Sequence, residues 1–140
     1  MTTSVISTKN SILTFGYGNR KDYDSFLECL KTFNVTCVID VRMSPRAWTR
    51  KWYGDAIQKL CAAHDILYVS KTALGNVSGK SNWIPPDEAQ AKESLLEVAE
   101  ILESENILLL CAEMDSSKCH RLEVAKKLQK MTSSLIKNIT

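Results

Sequence analysis

The stretch LLLCAEMDSSKCHRLEV, residues 108 to 124, gathers two cysteines, a histidine, an arginine and several carboxylates where an apolar run gives way to a basic one. A thiol near the start of a helix meets the positive end of the helix dipole, which lowers its pKa and favours the thiolate. Cys119 is therefore the leading candidate nucleophile, and Arg121 and a protonated His120 would reinforce it. His120 would transfer a proton or orient the thiol, and Asp40, Glu113 and Asp115 could order it or share in proton transfer. The same helix start could instead hold a phosphate or carboxylate on its backbone amides, with Arg121 or Arg42 as clamp. Packing is the competing account of Cys111, which closes the apolar run. Cys29, Cys37 and Cys61 fall in regular elements and read as small core residues.

Two further clusters carry polar chemistry. Gly16-Tyr17-Gly18-Asn19-Arg20 is a flexible loop after an apolar run, but it lacks the remaining residues of a dinucleotide or P-loop fingerprint, so its glycines could simply make the turn. In RMSPRAWTRKWYG, residues 42 to 54, arginines alternate with aromatic residues. Trp48, Trp52 or Tyr53 could stack bases while Arg46, Arg50 and Lys51 neutralise phosphates. Equally, the tryptophans could close one end of the core with the charges facing water. A zinc site from Cys111, Cys119, His120 and His64 is disfavoured by its spacing and by the absence of a C-x-x-C pair. No metal and no cofactor is expected.

These clusters need a scaffold, and hydrophobic periodicity supplies one. Ile12 to Phe15, Val35 to Val41, Ile66 to Val69, Ile107 to Cys111 and Leu135 to Ile139 read as strands. Helices are marked by Phe26, Leu27, Leu30 and Phe33, with Asp24 or Ser25 as cap; by Ala56, Ile57, Leu60 and Cys61; by Ala91, Leu95, Val98 or Ala99, and Leu102 after Pro85-Pro86-Asp87; and by Leu122, Ala125 and Leu128. Residues 42 to 54 read as a loop or short irregular helix, and Leu74 to Trp83 as a long exposed loop. Strands alternating with helices predict an α/β fold in three layers, a mostly parallel central sheet flanked by helices. In such sheets the loops after the carboxyl ends of strands share one rim, where Gly16 to Arg20, Asp40 to Arg46 and Cys111 to Arg121 would meet.

Composition sets the outer limits. The chain has 140 residues and is 44% hydrophobic, enough for one domain with its own core. Its 18 basic and 16 acidic residues leave a net charge of +2, which gives no general pull towards nucleic acid or anionic membrane. Five cysteines, an odd number without a small-protein disulfide spacing, point to reduced thiols in a cytoplasm. No signal-like segment or membrane-spanning run is visible, so the expectation is a cytoplasmic domain with no membrane partner. Oligomeric state is not readable.

TFGYGNR, VIDVRMSPR, LYVSKTALG and LLLCAEMDSSKCHR, in this order, resemble the domain-of-unknown-function 488 family from about Leu13 to Leu128. The resemblance implies an α/β domain with a polar site drawn from separated loops. The matching positions are Gly16, Tyr17, Asn19 and Arg20; Asp40, Arg42, Pro45 and Arg46; Gly75; and Cys111, Glu113, Asp115, Cys119, His120 and Arg121. It implies no particular reaction. A looser similarity to rhodanese-like and cysteine-phosphatase domains lies in VIDVR followed by a cysteine loop, but Arg121 is much farther from Cys111 than the arginine that closes their anion loop. The expectation is an enzyme-like domain, a hydrolase or transferase using cysteine if it is an enzyme. It would bind an anionic small molecule, a nucleotide or a nucleic-acid end at a Cys-His-Arg site. Gly16, Tyr17, Asn19, Arg20, Arg42, Arg46, Cys111 and Arg121 are the binding residues, and Cys119, His120, Asp40, Glu113 and Asp115 the catalytic ones. The alternative is a non-catalytic module for nucleic acid or a protein partner, with the Cys-His-Arg cluster structural.

Overall fold

The computed structural model describes residues 10–18, 20, 22–44, 50–78, 82–111 and 120–139. Five strands, β1 (Ser11–Gly16), β2 (Val35–Asp40), β3 (Leu67–Ser70), β4 (Asn106–Cys111) and β5 (Leu135–Ile139), form one sheet in the order β3-β2-β4-β1-β5. Every pairing is parallel. Four helices connect them: α1 (Asp24–Thr32), α2 (Gly54–Ala63), α3 (Glu88–Leu102) and α4 (Arg121–Thr132). The three-layer α/β architecture expected from the periodicity is the one observed.

The side-chain alternation of a strand decides which residues reach which layer. Along β4, Ile107, Leu109 and Cys111 pack with Ala91, Leu95 and Val98 of α3 and with Val124, Ala125 and Leu128 of α4. Leu108 and Leu110 face the other way, towards Phe26 and Leu30 of α1 and Ile57 and Cys61 of α2. A strand buried on both faces must be apolar at every position, which is why residues 107–110 form an unbroken aliphatic run. The α1/α2 face is the aromatic one: Phe15, Phe26, Tyr17 and Tyr23 all contact Trp52, with Tyr17 stacked on it at 5.2 Å between centroids.

Topology then fixes where a crevice can form. The chain leaves β1 and β2 towards α1 and α2 on one face, and leaves β4 towards α4 on the other. Since β4 lies between β2 and β1, its carboxyl end is flanked on both sides by connections departing in the opposite direction. Such a divergence of neighbouring loops opens a crevice at the carboxyl ends of the strands.

Several local expectations need correction. Neither Asp24 nor Ser25 caps α1: the cap position is Tyr23, without a side-chain cap bond, and it is Asp22 Oδ1 that accepts from the Asp24 amide. The segment from Leu74 to Trp83 is not uniformly exposed, since Leu74 ends a short 3₁₀ turn (Thr72–Leu74) and is fully buried. The start of α3 follows expectation, with Asp87 accepting from the Gln90 amide. No described helix is long and apolar enough to cross a membrane.

Candidate functional site

Asp40 is the last residue of β2 and Arg42 lies two positions on, so both side chains leave the strand on the same side. Arg42 Nε donates to Asp40 Oδ1 at 2.8 Å and Nη2 to Oδ2 at 2.7 Å, while Nη1 donates to the Trp52 carbonyl at 2.7 Å. The fork-to-fork geometry is that of the strongest charge-assisted pairs. Tyr68 on β3 donates its hydroxyl to Oδ2 at 2.5 Å, and the Arg42 backbone amide donates to Oδ1 at 3.1 Å. Asp40 is completely buried and Arg42 nearly so. Burial works against the guanidinium charge, but the hydrogen bonds and charge of Asp40 outweigh it and hold the Arg42 pKa above its usual value. Burial, then the bond to Asp40, raises the Tyr68 phenol, which stays protonated as the donor.

The tip of β4 is built differently. His120 occupies the cap position of α4 and is buried. Its Nε2 lies 3.0 Å from the Val41 carbonyl and 2.9 Å from that of Leu74. Carbonyl oxygens only accept, so Nε2 carries the hydrogen and, in the neutral ring, Nδ1 presents its lone pair. Nδ1 is 3.9 Å from Cys111 Sγ. Burial lowers the His120 pKa, which the two carbonyls partly offset, so the ring is neutral at pH 7. Arg121, the first residue of α4, is fully buried.

A glycine makes the double acceptor possible. A β-carbon on Gly75 would stand 2.5 Å from Met43 Cβ and 2.6 Å from Met43 Cα, a separation real structures do not show. Only glycine lets the loop after β3 approach the loop after β2 this closely, and that approach brings the Leu74 and Val41 carbonyls together at one imidazole nitrogen.

The loop after β1 completes the described rim. The Tyr17 amide donates to the Cys111 carbonyl at 3.1 Å, tying the tips of β1 and β4 together, and the Tyr17 ring lies 5.5 Å from the Arg42 guanidinium. Arg20 is 4.6 Å from the Phe15 ring centroid, donating through Nε to the Gly16 carbonyl and through Nη1 to Ser25. Its Nη2, shielded from solvent, has no hydrogen-bond partner among the described residues.

The structure thus gathers Gly16, Tyr17, Arg20, Asp40, Arg42, Cys111, His120 and Arg121 at the carboxyl edge of the sheet. Asn19, Arg46, Glu113, Asp115 and Cys119 lie outside the described residues, as do Pro45 and Trp48. Trp52 is buried in the aromatic cluster, so of the two roles open to it, it closes the core. Sequence reasoning missed Tyr68 and underused Gly75. The signal for Tyr68 was weak, because its role depends on which strand adjoins β2. Among the described residues no three His, Cys, Asp or Glu side chains group as metal ligands. A cleft of about 440 Å³ lies at the opposite edge, lined by Leu30, Val35, Ile66, Lys31 and His64 among others, and shares no residue with the rim.

Cysteine state departs in part from the expectation of five reduced thiols. Cys29, Cys37 and Cys61 are free and buried, and burial pushes the Cys37 and Cys61 thiols up to about 12, as befits core residues. Cys111 is instead disulfide-bonded.

Fold and rim together define a parallel α/β domain with a buried polar cluster at the carboxyl ends of its central strands. The chain belongs to the family described as Domain of unknown function DUF488, which it matches over residues 22–128. That range runs from α1 into α4 and takes in the Asp40, Gly75 and His120 segments, but begins after β1, so Gly16 to Arg20 lie outside it. No curated protein and no solved structure matches the chain.

Proposed function

We propose that this domain is a cysteine-dependent, enzyme-like protein that binds an anionic small molecule or nucleotide at the carboxyl rim of its sheet. The observation that carries the reading is the orientation of His120. Its Nε2–H is donated to two backbone carbonyls, so the lone pair of Nδ1 is held towards Cys111 Sγ at 3.9 Å. A base fixed by backbone acceptors and aimed at a sulfur is an arrangement that would take up the proton of Cys111 once its disulfide is reduced. Cys119 precedes His120 directly and remains a second candidate nucleophile.

The anion preference rests on Arg20, Arg121 and Arg46 more than on Arg42, whose charge Asp40 compensates. Arg20 has a shielded N–H with no described partner, a group that costs free energy until an acceptor reaches it. Glu113 and Asp115 would order the cluster or move protons.

Thermal unfolding against a panel of phosphate, sulfate and nucleoside monophosphates tests the reading. A ligand at about 100 times its Kd stabilises the folded state by about 2.7 kcal/mol, and Arg20→Gln should weaken that gain. Absence of stabilisation by every anion at millimolar concentration would remove the ligand class.

A further inference from the structure

The two helices on one face of the sheet carry opposite charge on their solvent sides. Both α3 and α4 pack against Ile107, Leu109 and Cys111 of β4, and they lie against one another. On α3 the exposed charges are Glu88, Glu93, Glu97 and Glu100, with Lys92 as the single cation; on α4 they are Lys126, Lys127 and Lys130, with Glu123 as the single anion. Glu97 bonds Lys71, and Glu123 accepts from the Trp83 amide. Glu93, Glu100, Lys126, Lys127 and Lys130 form no ion pair among the described residues.

Each charged stripe also holds an exposed apolar residue. Leu96, 53% exposed, stands three residues after Glu93 and four before Glu100, and Met131, 43% exposed, follows Lys127 by four. Residues three and four apart are neighbours on a helix surface. Leu96 is therefore bordered by acid and Met131 by base.

We infer that this face is where two copies of the chain associate, α3 of each copy lying on α4 of the other. Charge complementarity selects the occupant: a second copy presents a basic helix to α3 and an acidic one to α4 at the same time. It also selects the symmetry, because a two-fold contact pairs residue i with j and j with i. Both helices cross over between parallel strands, so they run in the same direction. A dyad parallel to the helix axes, between α3 and α4, makes the α3 to α4 contact twice. A dyad lying across the helices would instead lay α3 on α3 and α4 on α4, and like-charge contact opposes it. The favoured arrangement sets Glu93 and Glu100 against the basic stripe of the second copy and removes Leu96 and Met131 from water. The carboxyl edges of the two sheets then point the same way. This contact is independent of the anion and thiol chemistry of the rim.

Sedimentation equilibrium of the full chain, over a concentration series reaching the high-micromolar range, tests the interface. At low salt the average mass should rise towards that of two chains and no further, because a two-fold contact closes on itself. In about 1 M salt, where the screening length is about 3 Å, association should weaken roughly tenfold or more. A chain that stays monomeric throughout the low-salt series overturns the proposal, as does a dimer indifferent to salt. Charge reversal locates the contact. Glu93→Lys with Glu100→Lys makes α3 basic, and Lys126→Glu with Lys130→Glu makes α4 acidic, so each double variant alone should be monomeric where the wild type dimerises. Mixed in equal amounts they should form a heterodimer, because both helix pairs are again opposite in sign, and that recovery shows both variants to be folded. Either variant dimerising alone as the wild type does, or a mixture that stays monomeric, overturns the pairing of α3 with α4. Leu96→Ala leaves every charge in place and should weaken dimerisation roughly tenfold, since the loss occurs twice per dimer. Unchanged association of that variant would remove Leu96, and with it this face, from the contact.

Discussion

The tips of β2 and β4 are neighbours in the sheet, and both bury charged or titratable groups, yet they solve opposite problems. At β2, Asp40 and Arg42 satisfy one another, and Tyr68 and the Trp52 carbonyl take up further hydrogen-bonding capacity. The cluster is electrically compensated and locked. At β4, His120 Nε2 is anchored to the Val41 and Leu74 carbonyls, and Nδ1 lies 3.9 Å from a sulfur. A buried polar group acts chemically when its environment fixes its direction without consuming its reactive atom. Under the function proposed above, Asp40 and Arg42 support the rim and the β4 tip carries the chemistry.

The most severe way to break the comparison is Asp40→Ala. Arg42 would be left charged and buried without its counter-ion, a change that costs about 3–5 kcal/mol when a buried pair loses one partner. Denaturant titration should show a midpoint lowered accordingly. The double change Asp40→Leu with Arg42→Met removes both charges and should recover much of the loss, because apolar replacement of a buried pair is often neutral. A double variant as unstable as Asp40→Ala would mean that the pair shapes the rim beyond balancing charge.

Gly75→Ala comes next and links the two tips. The added carbon would meet the Met43 backbone, so the loops must separate at a cost of about 1–3 kcal/mol. Separation would pull the Leu74 carbonyl from His120 Nε2 and loosen the aim of Nδ1. Stability and Cys111 alkylation in reduced protein should therefore fall together. A loss of stability with unchanged alkylation would show that one carbonyl, that of Val41, suffices to orient the ring.

Tyr68→Phe removes one donor from Asp40 while Arg42 remains in place, and should cost about 1 kcal/mol, the usual net value of one hydrogen bond. The contrast with Asp40→Ala measures how far the carboxylate depends on its ionic partner over its neutral one.

How much of this was legible in the sequence follows from the range of each interaction. Strands and helices emerged from local periodicity because residues such as Ile107 to Leu110 are buried on both faces wherever the strand sits. The ends of β5 were read to the residue. The Asp40 and Arg42 pair was also within reach, since two residues separated by one at a strand end share a side. Tyr68 was not, because its bond to Asp40 requires β3 to lie beside β2, and strand order is set by packing across the whole chain. His120 was singled out for its neighbours in sequence, but the direction of its ring depends on carbonyls 79 and 46 residues away. The cap of α1 was misassigned because residues 22, 24 and 25 all have capping side chains, and local sequence does not choose among them.

The smallest effect is the sharpest control. Lys71 follows β3 and its amide donates to the Asp40 carbonyl, so its backbone belongs to the same corner of the fold as the buried pair. Its ammonium bonds Glu97 at 2.7 Å, the same distance as the Arg42 to Asp40 contact, but the Glu97 side chain is 52% exposed where that of Asp40 is 0% exposed. Water already solvates Glu97, so removing Lys71 strands no buried charge, and exposed pairs contribute about 0–1 kcal/mol. Lys71→Met should lower stability by no more than about 0.5 kcal/mol, and added salt should shrink even that, whereas the Asp40→Ala loss should persist in salt. A Lys71→Met loss comparable to that of Asp40→Ala would place the energetic weight of this corner in the α3 contact, and the distinction between a locked β2 tip and a poised β4 tip would have to be redrawn around α3.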